Sequence, residues 1–431
     1  MLRRFNFILC VVFFSSLAGC EKSANSVSSK EITAPTTVAP AVHNKNVAWI
    51  NYPKQPTTLS PQAQLGKQLF FDKALSASGN MSCASCHQPD HAYAPANDFA
   101  VQLGGKKMDQ AGTRSVPSLR YLTYTPLFTR HFYIPTSEGL EDEGPTGGFT
   151  HDGAVATLHE QASIPLLSPL EMANVNAASV AQKVQASSYA QQFQHVFGAQ
   201  IFDDPLKTLE QVGRALEAFQ VEDNSFHPYT SKFDAVISGN ATFSDAELRG
   251  YRLFKDPAKG NCAKCHVDNI GAGGKPAQFT DFEFEAIGVP RNPAIAANNI
   301  ASYFDLGLCG PYRHDLNKEG NFCGMFKTPT LRNVATRQVF FHNGFFHRLD
   351  DVMHFYVERD SQPQKWYPHH NGKVQIYDDL PQQYRRNVDH VNAPFDRKKG
   401  TPVALNDAEI KDLIEFLNTL NDGYSNTAGG N

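Results

Sequence analysis

Two short stretches of this 431-residue chain have the residue types and spacing for redox chemistry: Cys83-Ala84-Ser85-Cys86-His87 and Cys262-Ala263-Lys264-Cys265-His266. Cys-x-x-Cys-His is the spelling for covalent attachment of a c-type haem. The two thiols add to the porphyrin vinyl groups, and the adjoining imidazole supplies one axial ligand to iron. The alternative is a pair of redox or zinc Cys-x-x-Cys sites. Two complete five-residue spellings are far more than this Cys and His content yields by chance. Two haems then pose one question: whether either iron keeps an open face. An iron with a vacant position can activate a substrate, whereas one with two ligands relays electrons.

A diverged internal repeat lets the two sites be compared. Ser60-Pro61 starts a helix with a cap and a first-turn Pro, running through Gly66-Lys67-Gln68-Leu69-Phe70 toward the first motif. Ser244-Asp245 starts another, running through Gly250-Tyr251-Arg252-Leu253-Phe254 toward the second. Downstream, Pro117-Ser118-Leu119-Arg120 matches Pro329-Thr330-Leu331-Arg332, and His151-Asp152-Gly153 matches His342-Asn343-Gly344. Each half reads as one cytochrome c-like unit. Fourteen residues after His342 stands Tyr356, on a helix whose face carries Leu349, Val352, Met353 and Tyr356. Tyr and Met can both ligate haem iron. Fourteen residues after His151 stands Pro165, which has no ligating group. If the halves superpose, haem 1 is vacant where haem 2 is ligated. Gln161 and Glu171 lie near Pro165 in sequence. A carboxylate beside open iron can take a proton from peroxide and return it to the leaving oxygen. The competing role for Glu171 is to cap or solvate a helix after Pro169.

Besides the helix from Ser60 through Phe70, the positioning elements follow from apolar spacing and caps: helices near 176–197, 205–221, 244–255, 348–358 and 406–421, few strands, and a long ordered loop over 360–402. The expected fold is mainly α, with two tandem cytochrome c-like domains at 51–238 and 239–425. Arg3, Arg4 and the apolar run Phe5–Phe14 read as an export signal over 1–19, ending in Leu17-Ala18-Gly19-Cys20 like a bacterial lipoprotein signal. Cys20 then carries lipid, Glu21 directs the protein to the outer membrane, and 20–50 is a flexible tether; an ordinary secretory signal is the alternative. That places the protein in the periplasm, held to the membrane by a lipid anchor only. With Cys10 removed, Cys309 and Cys323 are left to form a disulfide or stay as buried thiols. Net charge is −4, too small to argue for nucleic acid, and no basic run suggests it. His369-His370 and Arg397-Lys398-Lys399 read as solvated loop.

The sequence resembles the bacterial di-haem cytochrome c peroxidase family, and within it the MauG-like branch, over roughly 55–425. The resemblance rests on Leu69-Phe70-Phe71-Asp72, both haem motifs, Asp152-Gly153, Glu160-Gln161-Ala162, Glu171-Met172, Pro329-Thr330-Leu331-Arg332-Asn333-Val334 and His342-Asn343-Gly344. It implies two covalent haems, with the N-terminal one reducing hydrogen peroxide. It maps the catalytic Gln, Pro and Glu onto Gln161, Pro165 and Glu171, and the sixth ligand of haem 2 onto Tyr356, where ordinary peroxidases have Met. Electrons come from a small cytochrome or cupredoxin, or from a side chain of a protein substrate. A non-catalytic di-haem electron carrier is the rival reading. Two departures stand out. Residues 92–130 lack the loop His that blocks haem 1 in ordinary peroxidases, and His151 replaces the family Trp between the haems. The role of His151 is left between proton-coupled chemistry and a hydrogen-bonded core residue. The family's interdomain calcium is left open, because Ser115 replaces its Asn ligand and only carbonyls near Arg337 and Val339 remain.

Overall fold

The computed structural model describes residues 50–425 apart from 54, 55, 57, 137 and 138. The signal peptide, Cys20, Trp49 and all but the last residue of the expected tether lie outside the described residues. Ten α-helices occur among the described residues: α1 (Pro61–Phe71), α2 (Cys83–Cys86), α3 (Leu158–Leu167), α4 (Ala177–Gln185), α5 (Ala190–Phe197), α6 (Pro205–Glu222), α7 (Lys232–Ile237), α8 (Asp245–Lys255), α9 (Leu349–Glu358) and α10 (Asp407–Asn418). The strands form four small antiparallel ribbons. These are β1 (Leu103–Gly104) with β2 (Gln110–Ala111), β3 (Tyr133–Thr136) with β4 (Gly139–Asp142), β5 (Phe284–Glu285) with β6 (Phe326–Lys327), and β7 (His369–His370) with β8 (Lys373–Val374).

The repeated Gly-x-x-Leu-Phe is a helix-crossing device. Ser60 Oγ caps α1 by accepting from Ala63 N at 3.1 Å. A Cβ on Gly66 would lie 1.9 Å from the Ala215 carbonyl oxygen, so α1 rests directly on the α6 backbone. Leu69 and Phe70 then enter a core with Leu65, Val180, Phe193, Phe219 and Phe226. In the second half, a capping box joins Ser244 and Glu247 at the start of α8. A Cβ on Gly250 would lie 2.0 Å from the Asp412 carbonyl oxygen of α10. Phe254 is buried there with Phe233, Phe279, Phe355, Leu413 and Phe416. The described residues fall in one compact unit, with the two cores inside it.

Three elements differ from the sequence reading. The expected helix over 176–197 is broken into α4 and α5. Ser187 Oγ bonds back to Val184 O at 2.7 Å, and Tyr189 is drawn to Asp72 Oδ2 at 2.6 Å. The spacing did not predict α3 or α7, because Pro165 interrupts the first pattern and the second spans only six residues. The loop over 360–402 is ordered around a buried Arg359, and Cys309 and Cys323 are joined in a disulfide.

Candidate haem-binding active site

The attachment motifs fold alike. Cys83–Cys86 is one helical turn closed by His87 N donating to Cys83 O at 2.9 Å. Cys262–Lys264 is a tighter turn closed by His266 N donating to Cys262 O at 2.8 Å. Nδ1 of His87 lies 3.0 Å from Tyr93 O, and Nδ1 of His266 lies 3.1 Å from Phe279 O. A carbonyl only accepts, so Nδ1 carries the proton and the Nε2 lone pair is left for a metal. Burial lowers both imidazoles to about 4, which keeps them neutral. Burial pushes the thiols up, Cys83 and Cys262 to about 12 and Cys86 to about 11. Redox or zinc pairs require the thiolate to be favoured, and these surroundings disfavour it. Among the described residues no group of three or more His, Cys, Asp or Glu could hold a metal ion.

Both motifs open onto one cavity of about 830 Å³. Its walls also carry Gln161, Pro165, Glu171, Met353 and Tyr356, so the structure brings every sequence-predicted site residue to the same space. Four thiols at attachment spacing, two imidazoles with Nε2 free and a shared cavity between them fit two covalently held haems.

Helix α3 positions the first group. Thr157 and Glu160 form its capping box, with Thr157 N donating to Glu160 Oε2 at 3.0 Å. Gln161 and Pro165, four apart, share a face. Ser168 N closes the helix onto Ile164 O at 2.9 Å. A tight turn follows, with Glu171 N donating to Ser168 O at 3.1 Å and Met172 N to Pro165 O at 3.0 Å. The β1–β2 ribbon holds this turn: Gly105 N donates to Glu171 O at 2.7 Å, and a Cβ on Gly104 would meet Leu170 O at 2.3 Å. No helix follows Pro169. Helix α4 begins later and takes its own cap from Asn176, so Glu171 has no capping role. The Glu171 side chain lines the cavity, and desolvation there raises its carboxyl pKa.

Helix α9 turns Leu349, Val352, Met353 and Tyr356 to the cavity, as its spacing requires. The Tyr356 ring stacks on Phe341 at 5.9 Å and 18° and lies 5.2 Å from Phe395. Burial, and then the adjacent Cys265 and Cys262, push its hydroxyl above the ordinary phenol value. In the absence of a metal it is therefore a neutral phenol beside the second motif.

Between the motifs lies a polar seam that the spacing did not reveal. His151 Nε2 is 2.9 Å from Ser115 O, and burial followed by the Arg114 charge lowers the ring to about 3. His151 is therefore a neutral, hydrogen-bonded cavity-wall residue. Arg114 reaches Asp305 through Nε (2.6 Å) and Nη2 (2.8 Å) and Asp152 through Nη1 (2.9 Å). His342 stacks on Phe326 at 3.6 Å and 8°. Ser115 Oγ donates to Phe341 O at 2.5 Å, and Ser115 N to His342 O at 2.7 Å. Asp152 accepts from Thr150 Oγ1 in its own turn and pairs with Arg114, 38 residues earlier. Outside the cavity, His369 and His370 are exposed on β7, and Lys398 and Lys399 lie on the outer part of the loop.

A mainly helical chain that presents two haem-attachment motifs to one cavity is a di-haem c-type protein. A family description, "Di-haem cytochrome c peroxidase", matches residues 60–242. The chain is 32% identical to the methylamine utilization protein MauG of Paracoccus denitrificans over 371 residues, covering 84% of this chain and 88% of that protein. It is 30% identical to cytochrome c551 peroxidase of Nitrosomonas europaea over 311 residues, covering 68% of this chain and 73% of that protein. It is also similar to the crystal structure of the diheme peroxidase BthA from Burkholderia thailandensis (37% identity, TM-score 0.75, 85% of this chain and 87% of that one). The chain belongs to the di-haem cytochrome c peroxidase and MauG family, and is a haem oxidoreductase with two haem cofactors.

Proposed function

We propose that this protein is a periplasmic peroxidase that reduces hydrogen peroxide at the N-terminal haem and receives electrons through the C-terminal haem. One observation carries the reading. Pro165 and Tyr356 hold matching places in the repeat and line the same cavity, and only the second has a side chain able to ligate iron. Haem held by Cys83, Cys86 and His87 would supply redox iron for peroxide reduction. Gln161 and Glu171 line the same cavity: the Glu171 carboxylate would take the first proton of peroxide and return it to the departing oxygen, while Gln161 would orient the molecule by hydrogen bonding. Pro165 contributes bulk without a donor or ligand, which keeps the position open. At the second site Tyr356 would hold the haem iron, offering an anionic oxygen donor that disfavours the ferrous state relative to thioether.

The domain limits at 51–238 and 239–425, the lipoprotein anchor at Cys20 and an outer-membrane location belong to this reading. The internal repeat supports the domain limits, and the spelling Leu17-Ala18-Gly19-Cys20 supports the anchor and the location. The reductant is a small electron-transfer protein or an oxidisable side chain of a protein substrate. Peroxide turnover by purified holoprotein with a panel of reduced cytochromes and cupredoxins tests the proposal. Consumption of peroxide coupled to donor oxidation is expected, and peroxide loss no faster than with heat-denatured protein would overturn it.

A further inference from the structure

Among the described residues, buried guanidinium groups are matched by carboxylates. Arg114 has Asp305 and Asp152, Arg332 has Asp234 at 2.9 Å, and Arg359 has Asp360 at 2.6 Å. Arg337 is the exception. It lines the cavity, and no carboxylate among the described residues lies within ion-pair distance of it. Its partners are neutral carbonyls: Nη2 donates to Val116 O at 2.9 Å and Nε to Val339 O at 3.3 Å. Burial alone acts on it and lowers its pKa to about 10, still charged at neutral pH. Lys327 and Lys264 also line the cavity without an ion pair among the described residues; Gly148 O holds the first ammonium, on which the Asp152 charge acts favourably, and Asn392 Oδ1 accepts from the second. A buried cation on carbonyl oxygens alone is costly unless an anion or a shared structural task offsets it.

The location supplies the task. Val116 belongs to the first half and Val339 to the second, so one guanidinium ties the halves together at the cavity wall. Carbonyl oxygens converging across such a seam are also what a calcium ion would take as ligands. Here Val339 O is engaged by Arg337 Nε, the Ser115 hydroxyl is spent on Phe341 O, the nearby Asp152 and Asp305 are taken by Arg114, and among the described residues no group of three or more His, Cys, Asp or Glu could hold a metal ion. A calcium ion does not fit these donors, since it would sit against a guanidinium that already holds them.

We infer that Arg337 is the resident cation of this seam, binding the two halves and presenting a fixed positive charge to the haem cavity in place of a divalent metal ion. A haem held in this cavity would bring propionate carboxylates, which Arg337 lacks among its own partners. A positive charge near iron favours the ferrous form, so Arg337 would raise the potential of a haem bound beside it. The inference rests on haem in the cavity and not on peroxide turnover, so either can fail alone.

The test uses holoprotein. Metal analysis after purification in calcium-containing buffer should find no stoichiometric calcium. Treatment with EDTA followed by calcium titration should leave the visible spectrum, the melting temperature and both reduction potentials unchanged. Arg337→Gln should lower one haem potential by about 59 mV, a tenfold change in its one-electron equilibrium, while Arg337→Lys should retain most of the potential. Calcium retained at one per chain, with a potential that shifts on chelation, would overturn the inference. So would an Arg337→Gln protein with both potentials unchanged. If that variant fails to fold, the calcium measurements on the unaltered protein still decide the matter.

Discussion

Replacing Gly250 by Ala should loosen the second haem unit, and the size of the effect follows from one contact. The new Cβ would lie 2.0 Å from the Asp412 carbonyl oxygen, 2.6 Å from its carbon and 2.9 Å from Phe416 Cβ. Two of these atoms are backbone, so no rotamer change relieves the clash, and α8 and α10 must part by roughly 1 Å to restore ordinary contact. Overpacking at such a site costs about 3 kcal/mol, the upper end of the usual range. Alanine returns about 1 kcal/mol through its better helix propensity. The net loss is about 2 kcal/mol, or several degrees in melting temperature for a unit of this size. Gly320→Ala serves as control, because its Cβ would meet nothing nearer than 3.5 Å. Denaturant midpoints followed by the haem spectrum measure both. A Gly250→Ala protein as stable as the control would refute the reading of Gly-x-x-Leu-Phe as a helix-crossing device. Gly66→Ala, with its Cβ 1.9 Å from Ala215 O, should behave alike in the first half.

Other expectations concern the chemistry. Glu171→Gln should keep both haems and slow peroxide cleavage by about 10²–10⁴-fold in rapid mixing, as for loss of one positioned acid–base group. Burial raises the Glu171 pKa, so the unaltered protein should cleave peroxide faster as pH rises through a midpoint above the ordinary glutamate value, and Glu171→Gln should flatten that profile. Tyr356→Met should raise the potential of the second haem and introduce the near-infrared band of His/Met ligation, whereas Met353→Leu should leave the spectrum alone. The opposite pattern would reassign the ligand. Removing the Cys309–Cys323 link, which closes a 14-residue separation, should cost about 3 kcal/mol of stability on the chain-entropy account, measurable by denaturation of the reduced and alkylated protein.

The parts of the site that were legible in the sequence are those written as local spelling. The haem motifs, the caps Ser60 and Ser244, and the cavity face of α9 depend on residues within a few positions of one another. Helix α3 was legible in principle, because Thr157-x-x-Glu160 is a capping box. Pro165 hid it, since a Pro well inside a helical pattern normally ends it. Single-sequence pattern cannot reach the seam. Arg114 meets Asp305 across 191 residues, and Arg337 meets Val116 across 221, so their pairing appears only once the halves fold together. The split between α4 and α5 likewise turns on Tyr189 reaching Asp72, 117 residues away.

The central claim is that the haem at His87 has an open face that cleaves peroxide. Its most direct test is the spin state of the oxidised, as-purified holoprotein, recorded by electron paramagnetic resonance before and immediately after one equivalent of hydrogen peroxide. The account predicts a high-spin ferric signal beside a low-spin one, with the high-spin signal lost on mixing. Two low-spin signals, both untouched by peroxide, would contradict it and make this chain a two-haem electron carrier.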